Sequence, residues 1–235
     1  MSAHLDDAVL SCGGRLDGRC TVATVFTAVP APGTPTAEWD LLTGATDSHQ
    51  RMLDRLAEDA RALRRLGCAA AHLGALDSQY RSGPSDLAPA IAQLADLFAA
   101  ATEVWLPAGI GGHPDHLAAR DAGLAGLDGV DRCTHFYADI PYAVTEGWPD
   151  WVTSADPDPD PQESAAWIGP RFAAVHADAP SLRPAVHRLD DRQLSRKQAA
   201  IGEYVSQLPL LDKHCAGRLH DPATLGIEVS WAAAP

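Results

Sequence analysis

The sequence predicts an α/β fold, a Rossmann-like and mostly parallel sheet with helices on both faces, in a single domain of residues 1–235. Three observations predict it. Short β-rich runs alternate with amphipathic helical segments, which is the pattern of a layered α/β protein. The run 20–26 (CTVATVF) is dominated by β-branched and apolar residues, as expected of a strand buried on both faces. A chain of 235 residues is long enough to bury a large core as one domain.

In the first half of the chain, the element boundaries are well marked. A helix is predicted from Asp47 or Ser48 to Gly67, because acidic and hydroxyl residues cap helix starts and glycine follows helix ends. Its apolar positions recur at three- and four-residue spacing and are expected to face the core. They are Met52, Leu53, Leu56, Ala60 and Leu63. Strands are predicted at 69–76 and 104–106, on either side of a second helix that Ser85 or Asp86 would cap.

The second half begins with a predicted helix at 116–127 and a strand at 133–138. From about 145 to 185 the composition changes to Pro, Asp and Trp, which predicts a surface loop or insertion near the rim of the site. Three tryptophans flank this segment, and they would either stack on a bound ring or anchor the loop: Trp148, Trp151 and Trp167. A last long helix is predicted at 191–208 and a final strand at 227–231.

Composition and charge exclude several classes of protein. The chain has 18 Lys and Arg against 31 Asp and Glu, a net charge of −13, which argues against nucleic acid and anionic lipid as partners. No apolar run approaches the roughly 18 residues that span a membrane. The N-terminus has no basic and apolar signal-peptide pattern, so we expect a cytoplasmic protein. The sequence contains neither GxGxxG nor GxxxxGK[ST], so nothing supports a nucleotide-phosphate site.

Two clusters of polar residues carry chemistry. The first is 4–7 (HLDD) and the second is 111–116 (GGHPDH). Each is predicted to lie where a strand ends and a helix begins, which is where ligands bind in open α/β sheets. Either motif alone would more often be a solvated turn or a helix cap. Their occurrence together favours a functional site.

The spacing of these residues indicates a metal site. His4 with Asp7, and His113 with His116, are three residues apart, so each pair can face one point. Three nitrogen and oxygen ligands with an open water position are typical of a catalytic zinc ion. The spacing leaves open which histidine of the second pair would bind. A carboxylate at Asp6, beside a metal-activated water, would suit metal-assisted hydrolysis.

These motifs resemble those of the PIG-L/LmbE-like family of zinc-dependent N-deacetylases. The stretches 2–14 (SAHLDDAVLSCGG) and 111–123 (GGHPDHLAARDAG) are similar to its AHPDD and HPDH motifs. The stretches 55–67 (RLAEDARALRRLG), 136–143 (FYADIPYA) and 204–207 (YVSQ) also resemble family segments.

The resemblance implies a role for each residue that matches. It implies that His4, Asp7 and His116 bind Zn²⁺ and that Asp6 is the general base. His113 would polarise the amide carbonyl or stabilise the oxyanion, and would then protonate the leaving amine. Asp115 would tune His113 by charge and hydrogen bonding. Arg55 and Asp77 are similar to substrate-hydroxyl contacts, although Arg55 would equally suit an ion pair on its own helix with Glu58 or Asp59.

The sequence departs from the family pattern at two places. Leu5 stands where the family has proline, and since neither side chain is a ligand, we expect only a local effect. The family also has an apolar strand before its first motif, whereas His4 is preceded here by three residues. We therefore expect either that His4 lies on a frayed terminus, which would weaken the metal site, or that another segment fills the place of that strand.

The sequence thus predicts zinc-dependent N-deacetylation or N-deacylation of a small glycosidic or secondary metabolite, with an N-acylated sugar or glycoconjugate as partner. The near absence of Lys beside abundant Arg, Ala and Pro is typical of a GC-rich genome and favours antibiotic biosynthesis as the setting. A thiol-conjugate amidase is the nearest variant. The alternative of another class is a non-catalytic glycan- or metabolite-binding protein with a compromised metal site.

Overall fold

The structure is a computed structural model that describes residues 1–154, 161–172 and 182–232. Its strands are β1 (Thr21–Phe26), β2 (Ala69–Ala75), β3 (Glu103–Pro107), β4 (Cys133–Tyr137), β5 (Arg183–Arg188) and β6 (Ile227–Ala232). Its helices are α1 (Asp7–Cys12), α2 (Glu38–Leu42), α3 (Ser48–Leu66), α4 (Ala88–Ala100), α5 (Pro114–Gly126), α6 (Tyr142–Glu146), α7 (Asp150–Thr153), α8 (Pro161–Phe172), α9 (Asp191–Ile201), α10 (Leu208–His214) and α11 (Pro222–Leu225). Short 3-10 helices lie at Ser78–Tyr80, Ile110–Gly112 and Arg218–His220.

The strands confirm the predicted α/β class. β1 pairs with β2 in parallel, and β3 pairs with β4 in parallel. β6 is antiparallel to both β4 and β5, which gives the order β3-β4-β6-β5. An antiparallel edge on a parallel sheet is common in α/β proteins. The first four strands therefore pair in parallel, as predicted for most of the sheet. The antiparallel strands β5 and β6 lie beyond β4.

The first residues of the chain lie between β1 and β3. Ser2 N–H donates to Ala23 O at 2.8 Å, and its carbonyl accepts from Val25 N–H at 3.0 Å. On the other side, the Met1 amino group donates to Trp105 O at 2.6 Å. The expectation of a frayed terminus is therefore wrong, because residues 1–3 themselves fill the place of the strand before His4.

Helices cover both faces of the sheet, as predicted. β1 shows why, because its side chains contribute to two apolar clusters on opposite faces. Ala23 and Val25 pack with α4 and α5, whereas Val22 packs with α1, α3 and α9. In the described part of the chain, no helix is long and apolar enough to cross a membrane.

Helix α3 confirms its predicted bounds but not all of its predicted core face. Asp47 caps its start by accepting from two backbone N–H groups, and Gly67 ends it with a left-handed backbone. Leu53 is 40% exposed, and Ala60 is also exposed, so those two positions were predicted wrongly. Instead, the charged residues Arg55, Glu58 and Asp59 are buried, because this face of the helix borders a polar site.

The last predicted helix is divided in two. α9 ends at Ile201, and α10 begins at Leu208. Gly202 occupies the C-cap of α9, and Pro209 lies in the first turn of α10, where its missing N–H is tolerated. The prediction of a single helix at 191–208 was therefore wrong, because that range runs through Gly202 and ends just before Pro209.

The segment predicted as a loop at about 145–185 contains helices α7 and α8. The centre of its Pro/Asp run, residues 155–160, lies outside the described residues. Trp151 is only 6% exposed in the core, and Trp167 lies 5.6 Å from Trp148 and 5.9 Å from Trp231 between ring centroids. Trp151 thus lies in the core, and the half-buried Trp148 and Trp167 pack against the same core, which favours the anchoring role over stacking on a bound ring.

Candidate active site

Turns that follow neighbouring parallel strands converge at the carboxyl edge of the sheet. Residues 4–7 follow the paired residues 1–3, and Asp77 follows β2. Residues 109–116 follow β3, and Asp139 follows β4. The two sequence motifs therefore meet at the edge where they were predicted to lie.

Hydrogen bonds shape the turn at 4–7 so that its side chains face the site. His4 N–H donates to Asp7 Oδ2 at 2.7 Å. The hydroxyl of Ser2 contacts the His4 carbonyl at 2.5 Å and accepts from Ala8 N–H at 3.1 Å. Tyr204 Oη lies 3.0 Å from Leu5 O, which ties the turn to the segment after α9. The turn is thus held from both sides.

Glycines shape the second turn. Gly111 has φ = 85°, a conformation that favours glycine, and a Cβ there would lie 2.5 Å from the ring of Tyr142. The chain then enters α5, where His113 occupies the N-cap and Pro114 the first helical position. This arrangement directs His113 and His116 toward His4.

Three residues form a group that suits a metal ion. One ligand atom each from His4, Asp7 and His116 lie within 4.8 Å of one another. His116 Nε2 lies 3.2 Å from Asp7 Oδ2, yet it is buried without a hydrogen-bond partner among the described residues. Two imidazoles and a carboxylate are a common catalytic zinc set, and a buried orphan nitrogen needs a partner. A second possible group, His4 with His113 and Asp115, shares one residue with the first.

The electrostatics of this group favour a positive charge. Burial lowers the pKa of His116, but Asp7 and Asp139 outweigh it and raise that pKa to about 9. Burial likewise opposes a raised pKa at His4, yet Asp77, Asp115 and Asp7 together raise it well above its usual value. The carboxylates therefore surround the imidazoles with negative potential, which a bound cation would relieve.

Asp6 differs from Asp7 in its surroundings. Burial and the adjacent Asp7 raise the pKa of Asp6. For Asp7, burial opposes ionisation, but His116 and His4 outweigh it and lower its pKa. Asp6 is absent from the groups of possible metal ligands among the described residues. Two adjacent carboxyls with opposite shifts suit different roles, one as a ligand and one as a proton acceptor.

Arg55 and Asp77 lie together at the wall of the site. Arg55 Nη1 is 3.7 Å from Asp77 Oδ2, and both side chains are largely buried. Glu58 instead contacts Ser206, and Asp59 contacts His72. The ion pair of Arg55 within its own helix, which the sequence left open, is thus replaced by one across the site.

His113 and Asp115 interact through the backbone. His113 Nδ1 accepts from Asp115 N–H at 3.2 Å, so the neutral ring carries its proton on Nε2. The Asp115 carboxylate lies 3.3 Å from His4 Nε2 and 2.5 Å from Arg81 Nη2, and it accepts from Ser78 N–H at 2.8 Å. Its side-chain hydrogen bonds thus go to His4, Ser78 and Arg81, and its effect on His113 is through charge and the helix cap.

Sequence reasoning missed two residues that hold the site. Asp139 Oδ1 lies 2.6 Å from His116 Nδ1, and its Oδ2 accepts from Gly109 and Ile110 N–H groups. Arg81 pairs with Asp115. Asp139 lies within the stretch 136–143, whose resemblance was its only signal. Arg81 had none, because its partner is 34 residues away.

A cavity of about 300 Å³ opens at this site. His4, Asp6, Asp7 and His113 line one part of it. The lining elsewhere includes Trp39, Arg55, Gln79, Tyr142 and Gln207. This volume is near the lower limit for small-molecule sites, about 300 to 1,000 Å³.

Comparison with known proteins identifies the class. The family model for PIG-L, described as GlcNAc-PI de-N-acetylase, matches residues 1–126, which is more than half of the chain. The chain therefore belongs to the PIG-L family. No curated protein matches it.

Solved structures agree with this family. The antimicrobial A40926 pseudoaglycone deacetylase Dbv21 is 27% identical with a TM-score of 0.69, covering 98% of this chain and 93% of that one. The zinc-inhibited form of teicoplanin deacetylase Orf2 is 26% identical with a TM-score of 0.68, over 98% and 95%. A deacetylase–teicoplanin complex is 26% identical with a TM-score of 0.64, also over 98% and 95%. Family and neighbours together make this chain an enzyme of the deacetylase class.

Proposed function

We propose that the protein is a zinc-dependent N-deacetylase acting on an N-acylated sugar of a glycopeptide-type secondary metabolite. The observation that carries the proposal is the group formed by His4, Asp7 and His116, in which the buried His116 Nε2 faces Asp7 Oδ2 at 3.2 Å and has no hydrogen-bond partner in the described part of the chain. The substrate class is supported by the neighbours, which are deacetylases of A40926 pseudoaglycone and of teicoplanin biosynthesis. The family description, a de-N-acetylase of an N-acetylglucosamine compound, agrees with it.

His4, Asp7 and His116 would hold the zinc ion. Zinc supplies Lewis acidity at such a site, since it lowers the pKa of water toward about 7 and polarises a carbonyl oxygen. Asp139 accepts a hydrogen bond from His116 Nδ1–H, which leaves Nε2 as the free ligand atom.

The chain's own residues supply the proton transfers. Asp6 accepts a proton from the water whose oxygen attacks the amide carbon, and its raised pKa suits this role. The His113 Nε2–H donates a hydrogen bond to the carbonyl oxygen as negative charge develops there. As the C–N bond breaks, Asp6 passes the proton that it took from water to the departing amine nitrogen, and the carboxylic acid that is released ionises to a carboxylate. The neutral His113 keeps its Nε2 proton as a hydrogen-bond donor, because losing it would leave an imidazolate anion. Arg55 and Asp77 bind hydroxyl groups of the substrate.

Metal content tests the proposal directly. Wild-type protein and His116→Ala are purified without chelator or affinity metal, supplied with one equivalent of zinc and then desalted. We expect about one zinc per wild-type chain, none in His116→Ala, and acetate release from an N-acetylated glycopeptide pseudoaglycone by the wild type alone. The control is His220→Ala, whose side chain is 67% exposed.

The other outcomes separate the alternatives. Equal zinc in His116→Ala and the wild type would contradict the ligand set. A folded, metal-free wild type that still binds the glycan would favour the non-catalytic binding protein. Release of an amine from an N-acyl thiol conjugate, without action on the glycopeptide, would favour the amidase.

Asp139→Asn should weaken zinc binding about 10- to 100-fold, since it exchanges the carboxylate that orients His116 for an amide. The measurement is competition for zinc against a chromophoric chelator. The matched control is Asp131→Asn, at an exposed position in the loop before β4. Unchanged affinity in Asp139→Asn would show that His116 needs no orienting partner.

A further inference from the structure

We propose that Trp39 and Gln79 form the subsite that recognises the sugar ring bearing the acylated amine. The inference rests on the proposed function and names the part of the same cavity that selects the substrate. Both side chains line the cavity that also contains His4, Asp6 and Asp7. Neither residue belongs to a motif of the sequence.

The indole of Trp39 is held in a fixed orientation. Its Nε1–H donates to Gln207 Oε1 at 2.7 Å, and Gln207 is only 2% exposed. The ring of His214 stacks on it, with centroids 5.7 Å apart and planes 27° apart. The indole N–H and one ring face are thus already in contact with protein, while the half-buried side chain still borders the cavity. A preorganised ring loses little entropy when a ligand packs against it.

The side-chain amide oxygen of Gln79 is a hydrogen-bond acceptor to which no donor of the described residues is bonded. Its Nε2 donates to Asp77 Oδ2 at 3.1 Å, and its backbone N–H donates to Asp77 Oδ1 at 3.0 Å. Because a carboxylate only accepts, the amide nitrogen must face Asp77 and the amide oxygen must point away. That oxygen, Oε1, is buried and has no hydrogen-bond partner among the residues that the structure describes. Buried acceptors are nearly always paired, so a ligand hydroxyl beside Gln79 would give this oxygen the partner that it lacks among the described residues.

An apolar ring face and a hydroxyl acceptor match the chemistry of a pyranose. One face of such a ring carries mainly C–H groups, which lose contact with water when they pack on an indole. Its edges carry hydroxyls that donate to an oxygen such as Gln79 Oε1. A cavity of about 300 Å³ holds a ligand of monosaccharide size, so the rest of a glycopeptide would lie outside it.

Kinetics on a matched pair of substrates test the subsite. The zinc-loaded enzyme is assayed with methyl N-acetyl-β-glucosaminide and with N-acetylethanolamine, which has an amide but no ring. We expect Trp39→Leu and Gln79→Met each to raise KM for the glucosaminide about 10-fold, the size of one lost contact of about 1.4 kcal/mol, with kcat little changed. KM for the acyclic amide should stay within about twofold. The control is Leu41→Ala on the same helix α2, where Leu41 is 57% exposed.

Equal changes for the two substrates, or no change for either, would overturn the subsite. Trp39→Phe is the second variant if Trp39→Leu does not fold, because it keeps an aromatic ring but loses the bond to Gln207 and part of the ring area, so a smaller rise in KM for the glucosaminide alone is expected. If the wild type hydrolyses neither substrate, the proposed function fails for these two amides. Saturation-transfer NMR, which measures binding without turnover, then still tests the subsite. Transfer to the glucosaminide that Trp39→Leu and Gln79→Met abolish would support it, and equal transfer in wild type and variants would exclude it.

Discussion

Asp6→Asn is expected to lower the rate of deacetylation about 10²- to 10⁴-fold, which is the usual contribution of a general base. The amide is close in size to the carboxylate but cannot accept the proton of the attacking water. Zinc content should stay near one per chain, because Asp6 is outside the groups of possible ligands among the described residues. The measurement combines acetate release with elemental analysis of the same preparation.

Asp96→Asn is the control for this experiment, since it makes the same chemical change at an exposed position on α4. Wild-type turnover in Asp6→Asn would remove Asp6 from the mechanism. Loss of zinc from the variant would instead make Asp6 a metal ligand. Asp6→Ala provides a second variant in which no polar atom replaces the carboxylate.

Lys197→Met is expected to lower the free energy of unfolding by about 3–5 kcal/mol, the usual cost of breaking a buried ion pair. Lys197 is fully buried, and its Nζ lies 3.0 Å from Glu228 Oε1. The same oxygen accepts from Gly14 N–H at 2.8 Å, so the pair joins α9 and β6 to the end of α1. Removing the ammonium leaves the buried Glu228 carboxylate with only Arg15, whose Nε lies 4.0 Å from Glu228 Oε2, as a cationic partner among the described residues.

Thermal unfolding measures this effect, and a fall in Tm of about 10 °C is expected for a chain of this size. The control is Lys213→Met, which changes the only other lysine of the chain, an exposed residue on α10. Lys197→Met combined with Glu228→Gln should recover part of the loss, because no charge is then buried alone. A Tm equal to that of the wild type in Lys197→Met would show that the pair adds nothing to stability.

Local signals explain why much of the fold was predictable. Asp47 caps the start of α3 and Gly67 ends it, and both do so through hydrogen bonds to residues within one turn. Neighbouring residues therefore suffice to predict the two ends of this helix. The end of α9 also has a local signal, because Gly202 lies at its C-cap inside the range predicted as one helix, and Pro209 begins the next helix just beyond that range. The buried charges of α3 had no such signal, because Arg55 is buried by its contact with Asp77 in another element.

The sequence by itself determined the α/β class, the two motifs at strand ends, and the residue types that suit a metal-dependent hydrolase. These features depend on periodicity and on spacings of three or four residues, which backbone geometry converts directly into position. Only the tertiary structure decided that residues 1–3 pair with β1, that Asp139 holds His116, and that Trp39 borders the cavity. Such contacts join residues far apart in the chain, and they depend on strand order and helix packing, which no local pattern specifies.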